Sequence, residues 1–161
     1  MTVHLIVAVS SNGVIGLNNE IPWEYDRMWF SMHTQGGVLV MGRKTWDSLA
    51  CKPSNCGSII VVSRFKPHGS DSVHWCTTLA SAMCLSGPQH TYIIGGGEIF
   101  RSALLLRLVR VLLVTHVKIK IEDRRVVELA LPVHRRIFWE SPTFQKKQLE
   151  YYYEMSTLEY K

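Results

Sequence analysis

Runs of apolar, often β-branched residues alternate along the chain with segments whose apolar residues recur at helical spacing. Continuous apolar runs are typical of strands that are buried on both faces of a parallel sheet. The predicted strands cover residues 3–9, 38–41, 59–63, 73–76, 92–94 and 111–117. The predicted helices cover residues 26–34, 45–51, 78–85 and 98–106. Thr77 or Thr78 is a suitable N-cap for the third of these helices.

The last part of the chain has a different pattern. Residues 138–139, 144–155 and 157–160 are rich in aromatic side chains and predict antiparallel strands. Alternating strands and helices that end in such strands predict an α/β fold. We expect a doubly wound, mostly parallel central sheet that is flanked by helices and carries an antiparallel C-terminal hairpin. Because no linker or repeat divides the chain, we expect residues 1–161 to form a single domain.

The N-terminal sequence, the cysteines and the apolar stretches bear on where the protein is located in the cell. The first residues lack the basic region and cleavage site of a signal peptide, and four cysteines without an export signal predict free thiols rather than disulfides or a metal site. The apolar stretch 103–117 is shorter than the roughly 20 residues of a membrane span and contains Arg107 and Arg110. We therefore expect a cytoplasmic protein without a membrane segment.

A formal net charge of +5 favours an anionic ligand. The basic residues are dispersed apart from a few adjacent pairs, so nucleic acid is a minor hypothesis. A nucleotide or a carboxylate-bearing small molecule fits this pattern better.

Three of the predicted strands end in residues that suit phosphate binding. The residues are Gly42, Arg43, Lys44 and Thr45 after the second strand, Ser63 and Arg64 after the third, and Gly95, Gly96, Gly97 and Glu98 after the fifth. Ligands of open α/β sheets bind at the carboxyl ends of the strands, where glycines allow a close approach and helix N-termini offer free N–H groups. Neither a Walker motif nor the spaced glycine fingerprint of Rossmann dehydrogenases is present. Two adjacent cations favour a 2′-phosphate, and therefore NADPH over NADH.

A candidate acid follows the first strand and a loop that is rich in glycine and asparagine. Asp26 comes three residues after Trp23 and begins a predicted helix that carries Phe30. An acid in this position commonly caps the helix dipole, which is a structural role. The alternative is a carboxylate at the mouth of an apolar pocket, where it exchanges protons with a ligand.

An ordered set of motifs over nearly the whole chain resembles the dihydrofolate reductases. The motifs are Gly13-Val-Ile-Gly16, Ile21-Pro22-Trp23 with Asp26 and Phe30, Met41-Gly-Arg-Lys-Thr45 with Leu49, Ile60-Val-Val-Ser-Arg64, Ile94-Gly-Gly-Gly-Glu98 and Thr115-His116. The resemblance implies reduction of 7,8-dihydrofolate to tetrahydrofolate, with hydride delivered from NADPH to C6 and protonation of N5 promoted by Asp26. It also implies that Trp23 holds a water near the pterin and that Thr115 hydrogen-bonds the acid.

The same resemblance implies two sets of binding residues. The substrate set is Ile6, Val7, Asp26, Phe30, Leu49, Lys52 and Ile94. The cofactor set is Ala8, Ile15, Gly16, Gly42, Arg43, Lys44, Thr45, Ser63, Arg64, Gly95, Gly96, Gly97 and Glu98. Residues 12–25 would form a mobile lid over the nicotinamide. The implied inhibitors are antifolates such as methotrexate and trimethoprim, and the implied state is a monomer.

The chain departs from the family pattern where the substrate's glutamate tail would bind. Dihydrofolate reductases usually carry an arginine a few residues before the third strand. Here that place falls at or near Gly57, and the segment 51–58 offers only Lys52 as a cation. Lys52 or Lys66 would supply a point charge without the paired donors of arginine.

Further departures concern the lid. Only two residues separate Trp23 from Asp26, which is fewer than is common and implies a repositioned hinge. The segment 118–132 is longer than usual, and Glu128 stands where an aspartate is expected. These changes bear on lid behaviour and antifolate sensitivity.

Two other functions are alternatives to the reduction of dihydrofolate. One is a reductase of the same fold that acts on a riboflavin-pathway pyrimidine, although the pairing of Trp23 with Asp26 would not be expected there. The other is a non-catalytic relative that binds a nucleotide, a partner protein or its own messenger RNA. The retention of Asp26, Trp23 and Thr115 argues against this second alternative.

Overall fold

The computed structural model describes residues 2–23, 27–49, 53–65 and 73–160. The helices are α1 (Arg27–Thr34), α2 (Arg43–Ser48), α3 (Leu79–Ser86) and α4 (Gly97–Leu105). The strands are β1 (Val3–Ser10), β2 (Val14–Leu17), β3 (Val38–Gly42), β4 (Ser58–Val62), β5 (His74–Cys76), β6 (Thr91–Gly95), β7 (Val111–Val117), β8 (Val126–Glu128), β9 (Arg135–Glu140), β10 (Phe144–Lys146) and β11 (Leu149–Leu158). No helix within the described residues is both long enough and apolar enough to cross a membrane.

Within the residues described, nine strands form one sheet in the order β10-β11-β7-β1-β6-β3-β4-β5, and β9 also pairs with β11, beside β10. All pairings from β7 to β5 are parallel, whereas β11 is antiparallel to β7, β9 and β10. Strands β2 and β8 form a separate antiparallel pair. The predicted α/β class, with a mostly parallel sheet and antiparallel C-terminal strands, is therefore confirmed.

The sheet buries an apolar cluster on each face. One cluster contains Val7, Val9 and Val114 and packs against α3 and α4 through Ala82 and Phe100. The other contains Ile6, Leu39, Met41, Leu113 and Tyr153 and packs against Trp29 of α1. Successive strand residues point to opposite faces, which is why Ile6 and Val7 belong to different clusters.

Several predicted boundaries were wrong for identifiable reasons. The strand expected over 144–155 is divided by a turn in which Lys147 has φ 58°, and β11 continues to residue 158 instead of ending at 155. Helix α2 begins at Arg43 rather than residue 45, because extended Gly42 forms its N-cap. Strands β2 and β8 were missed since each has at most four residues. Thr78 is the N-cap of α3, as expected, and its side chain accepts a hydrogen bond from the Ser81 N–H.

A buried ion cluster joins the C-terminal strands to the parallel sheet. Glu154 is 1% exposed and accepts hydrogen bonds from Arg135 Nε at 2.6 Å and Nη2 at 2.9 Å. Its Oε1 also lies 2.9 Å from His116 Nε2. Burial alone would raise the pKa of Glu154, but the hydrogen bonds from Arg135 and His116 outweigh burial and lower this pKa to about 2. The negative charge of Glu154 on β11 is therefore stabilised by Arg135 on β9 and His116 on β7.

We expect Arg135→Gln to lower the free energy of unfolding by about 3 kcal/mol, because the substitution leaves the Glu154 carboxylate buried with only His116 as a partner. Urea titration at neutral pH measures the change. The matched control is Arg136→Gln, the next residue on β9, which is exposed and should change stability by less than about 0.5 kcal/mol. Equal effects of the two substitutions would contradict this role for Arg135.

Two histidines pack against aromatic rings at the amino end of the sheet. The His4 ring stacks on Tyr92 with centroids 4.5 Å apart, and the His33 ring meets Trp29 edge-on at 4.1 Å. The Nε2 atom of His33 is buried and has no hydrogen-bond partner among the described residues. Burial lowers the pKa of both histidines below 6.5. The folded protein therefore favours the neutral rings.

Stability should fall as the pH drops from about 7.5 to 5.5, because the unfolded chain then binds protons that the folded histidines resist. His33→Phe keeps a ring against Trp29 but cannot be protonated, so its loss of stability over this interval should be smaller than that of the wild type. Thermal melts at both pH values measure the difference. His134→Gln, at an exposed position, serves as the control, and an unchanged pH dependence in His33→Phe would refute the assignment.

Candidate active site

Four of the predicted substrate residues meet on one face of the sheet. Ile6 belongs to the apolar cluster under α1, and Phe30, Leu49 and Ile94 pack against that cluster while remaining partly exposed. They come from β1, α1, the end of α2 and β6. A partly exposed apolar wall beside a buried cluster is the surface that an aromatic ring system would contact.

Strands β1 and β7 bring two further predicted residues to this face. Ala8 pairs with Thr115, which pairs in turn with Tyr153 of β11. Ala8 and Thr115 are both partly exposed and, by strand alternation, point to the same side as Ile6. The side chain of Val7 lies in the cluster on the opposite face. Val7 therefore has only its backbone available to a ligand on the face of Ile6.

Trp23 lies in the loop that follows β2. Its side chain is 8% exposed, and its Nε1 atom is buried with no hydrogen-bond partner among the described residues. Buried indole N–H groups nearly always have a partner, so this donor is available to a ligand or a bound water, as are the Nε1 atoms of Trp29 and Trp75, which also have no partner in the part of the chain that the structure describes. Asp26 and Lys52, which were predicted to contact substrate, lie outside the described residues.

Glycines line the point where the ends of β3 and β6 approach each other. Met41 pairs with Gly95, so Gly42 and Gly96 follow at the same sheet edge. A Cβ atom on Gly42 would lie 3.2 Å from Ile99 Cγ1, and a Cβ atom on Gly96 would lie 3.4 Å from Thr45 Oγ1. The Gly95–Gly96 peptide bond is cis. The structure thus brings Gly42, Thr45, Gly95 and Gly96 together, as the sequence predicted.

Basic side chains surround this glycine cradle, which consists of Gly42, Gly95 and Gly96. Arg43 and Lys44 are exposed in the first turn of α2, where Arg43 Nη1 lies 3.8 Å from Asp47 Oδ2, and Arg64 is exposed just after β4. The parallel register of Gly42 with Val62 puts the end of β4 at the same edge. Ser63 is engaged locally, since its Oγ donates to Phe65 O at 2.8 Å and accepts from Phe65 N–H at 3.2 Å. The edge therefore combines close backbone approach with three exposed positive charges.

The segment predicted as a lid is held by the segment 118–132. Gly16 of β2 pairs with Val127 of β8. The Asn12 side chain donates to Ile121 O at 2.9 Å and accepts from Ile121 N–H at 3.1 Å. Ile15 packs against the cluster on the α3 and α4 face. The mobility of this segment stays a prediction.

Val127 also contacts the start of α4. A Cβ atom on Gly97 would lie 2.7 Å from Val127 Cγ1, so a side chain at residue 97 would displace β8. Glu98 is exposed in the first turn of α4. Sequence reasoning missed Val127, although the β-branched pair Val126-Val127 was a weak strand signal. The lid strand and the glycine-rich helix start are thus in contact through one side chain.

A separate cavity of about 320 Å³ lies beyond Leu49, between α2 and β4. Trp46, Pro53, Ser54, Cys56, Gly57, Ser58, Ile59 and Val73 line it. Burial raises the pKa of the Cys56 thiol, which keeps it neutral at physiological pH. The cavity lies in the region predicted to lack the tail-binding arginine, and its described lining is uncharged.

Comparisons with known proteins agree with this geometry. The family model described as dihydrofolate reductase matches residues 2–159. The dihydrofolate reductase of Buchnera aphidicola from Acyrthosiphon pisum is 32% identical over 152 residues, which cover 91% of this chain and 89% of the relative. The Buchnera enzyme from Baizongia pistaciae is 30% identical over 154 residues, covering 94% and 89%. The Haemophilus influenzae enzyme is 38% identical over 109 residues, covering 65% and 66%.

The match extends over both strand-to-helix junctions, the apolar wall and the C-terminal strands. It decides between the competing functions, because the relatives are dihydrofolate reductases rather than reductases of other heterocycles or binding modules. The chain therefore belongs to the dihydrofolate reductase family and is an oxidoreductase that reduces dihydrofolate with a nicotinamide cofactor.

Proposed function

We propose that the nicotinamide cofactor is NADPH and that it binds across the carboxyl edge of β3, β4 and β6. The observation that carries this proposal is the glycine cradle flanked by Arg43, Lys44 and Arg64. A cradle that a Cβ atom would fill suits a pyrophosphate, and cations beside it suit an additional phosphate on the ribose. When bound, NADPH supplies a hydride to the substrate.

The chain's own residues would divide the cofactor between two regions. Gly42, Thr45, Gly95 and Gly96 would hold the phosphates through backbone N–H groups and one hydroxyl. Arg43, Lys44, Ser63 and Arg64 would bind the adenosine end. Ala8, Ile15, Gly16, Gly97 and Glu98 would surround the nicotinamide end, where the contact of Val127 with Gly97 supports closure of β2 over the site.

We also propose that Asp26 binds the pterin ring and promotes protonation of N5. Asp26 precedes the first residue of α1, and Trp23, three residues earlier, offers a buried N–H that has no partner among the described residues. That donor would fix a water next to the acid. Thr115, which is half-exposed on the face of Ile6, would hydrogen-bond the carboxylate. Ile6, Phe30, Leu49 and Ile94 would exclude water from the ring, with Val7 contributing backbone groups and Lys52 contacting the substrate's far end.

We also propose that the whole chain forms one domain. Strands from both ends of the chain pair within one sheet, since β1 lies next to β7 and β7 next to β11. That pairing supports a single domain over residues 1–161. We infer that this domain acts as a monomer in the cytoplasm and binds antifolates in the substrate site.

The direct test of the proposed function is the oxidation of NADPH, followed at 340 nm, with purified protein and 7,8-dihydrofolate. We expect turnover that stops on addition of methotrexate. Tight NADPH binding without turnover would contradict the proposal and favour another substrate.

The choice of NADPH over NADH can be tested at Lys44. Lys44→Gln removes one positive charge beside the cradle, so the Kd for NADPH should rise about threefold to tenfold while the Kd for NADH stays nearly constant. Equilibrium binding followed by tryptophan fluorescence measures both constants. Lys146→Gln, an exposed residue of β10, is the control. Equal weakening of both cofactors would show that Lys44 does not contact the 2′-phosphate.

The role of Asp26 can be tested through the pH dependence of turnover. Asp26→Asn should lower kcat about 100-fold at neutral pH, where the acid is needed to protonate the substrate. The loss should be smaller at low pH, because more of the substrate is already protonated there. Steady-state rates between pH 5 and 8 measure the profile. A loss of the same size at every pH would refute this role.

A further inference from the structure

The substrate has a charged end that the apolar wall cannot hold. Dihydrofolate carries a glutamate group whose two carboxylates are ionised at neutral pH. Ionised carboxylates are bound most strongly by charge-assisted hydrogen bonds, above all by the two parallel N–H donors of an arginine. A residue of this kind should therefore stand where the substrate leaves the wall of Phe30 and Leu49.

We take the exit to lie between helix α1 and the segment 53–57, which contacts this helix and the turn that follows it. The Asn55 side chain donates a hydrogen bond to Ser31 O at 3.4 Å, and Asn55 O accepts one from Gly36 N–H at 2.9 Å. These contacts bring the segment 53–57 against the face of α1 on which Ser31 lies. Phe30, the neighbouring residue, packs on the apolar cluster that forms the wall.

Arg27 lies on α1 one helical turn before Phe30 and Ser31. It is the first residue of the helix, three positions before Phe30 and four before Ser31. Residues separated by three and four positions are neighbours on a helix surface. Arg27 therefore lies one turn from the exit, at the end of α1 that follows Asp26 in the chain, and its side chain is exposed.

The other described groups at the exit are uncharged. The cavity beside it is lined by the hydroxyl groups of Ser54 and Ser58, the Cys56 thiol and apolar or aromatic side chains. Residues 27–34 and 53–57 contain one arginine and no lysine. Within these two segments the positive charge at the exit comes from Arg27.

We propose that Arg27 binds a carboxylate of the substrate's glutamate tail and makes the enzyme selective for tailed over tailless dihydropterins. This inference rests on the proposed mode of substrate binding, in which Phe30 and Leu49 wall the ring system. Arg27 is a specificity-determining residue in this role, since it contacts the end of the substrate that does not react. The contact is partly exposed to solvent and therefore weakens as the salt concentration rises.

The test compares Arg27→Gln with the wild type on two substrates, 7,8-dihydrofolate and 6-methyl-7,8-dihydropterin, which lacks the tail. We expect the KM and the Kd for dihydrofolate to rise about tenfold in Arg27→Gln. Both constants should change less than about twofold for the tailless pterin, and kcat should stay nearly constant for both substrates. The matched control is Arg136→Gln, an exposed arginine on β9 far along the chain from α1.

Two further variants and a salt titration test whether the charge and the paired donors of Arg27 are responsible. Arg27→Lys retains the charge without the paired donors, so it should lie between the wild type and Arg27→Gln and should be folded if the glutamine variant is not. In the wild type, raising the salt concentration from 50 to 500 mM should weaken dihydrofolate binding more than binding of the tailless pterin. A Lys52→Gln variant examines the competing cation in the segment 51–58.

The outcomes separate this inference from the proposed function. Equal weakening of both substrates in Arg27→Gln would overturn the inference, as would unchanged dihydrofolate binding in Arg27→Gln, and weakened dihydrofolate binding in Lys52→Gln would then assign the contact to Lys52. In both cases the wild type still oxidises NADPH, so the proposed function stands. A wild type that oxidises NADPH with neither substrate would instead refute the proposed function.

Discussion

Parallel pairing of β1 with β6 on one side and β7 on the other aligns the carboxyl ends of the central strands along one edge of the sheet. Each of these strands is buried on both faces, so its register is fixed by two apolar clusters at once. A shift of β1 by one residue would exchange Ile6 with Val7 and carry Ile6 to the opposite face. The positions of Ile6 and Ala8 beside Thr115 therefore depend on this one register.

The loop that follows β1 is attached to the rest of the molecule by contacts with the segment 118–132. Asn12 and Gly16 tie the loop after β1 to the long segment before β9 through side-chain and backbone hydrogen bonds. These contacts lie at the surface and involve short strands, which are typically the less stable parts of a domain. Val14 of β2 and Leu129, which follows β8, are nevertheless buried in the core, so this pair is anchored to the central sheet as well as to the surface.

Much of this arrangement could be predicted from the sequence, because apolar runs bounded by glycine carry strong information. This pattern predicted both glycine-rich junctions and five strands, namely β1, β3, β4, β6 and β7. The turn at Lys147 could not be predicted, since a lysine at φ 58° between aromatic segments gives no local signal. The contact between Val127 and Gly97 was also hidden, because it joins residues that are distant in the chain and are brought together only by the fold. Arg27 illustrates a third limit: its charge is plain in the sequence, but its place at the substrate exit depends on the hydrogen bond between Asn55 and Ser31.

The fit of Val127 against Gly97 has a consequence for how this enzyme can change over generations. The space at this point admits a hydrogen atom but not a methyl group, since a Cβ atom on Gly97 would lie 2.7 Å from Val127 Cγ1. A side chain at residue 97 therefore requires Val127 to shift or to be replaced by a smaller residue. Substitutions at the two positions are therefore coupled, although 29 residues of chain lie between them. Sequence variation in the loop at 127 is thus limited by a glycine on a different element.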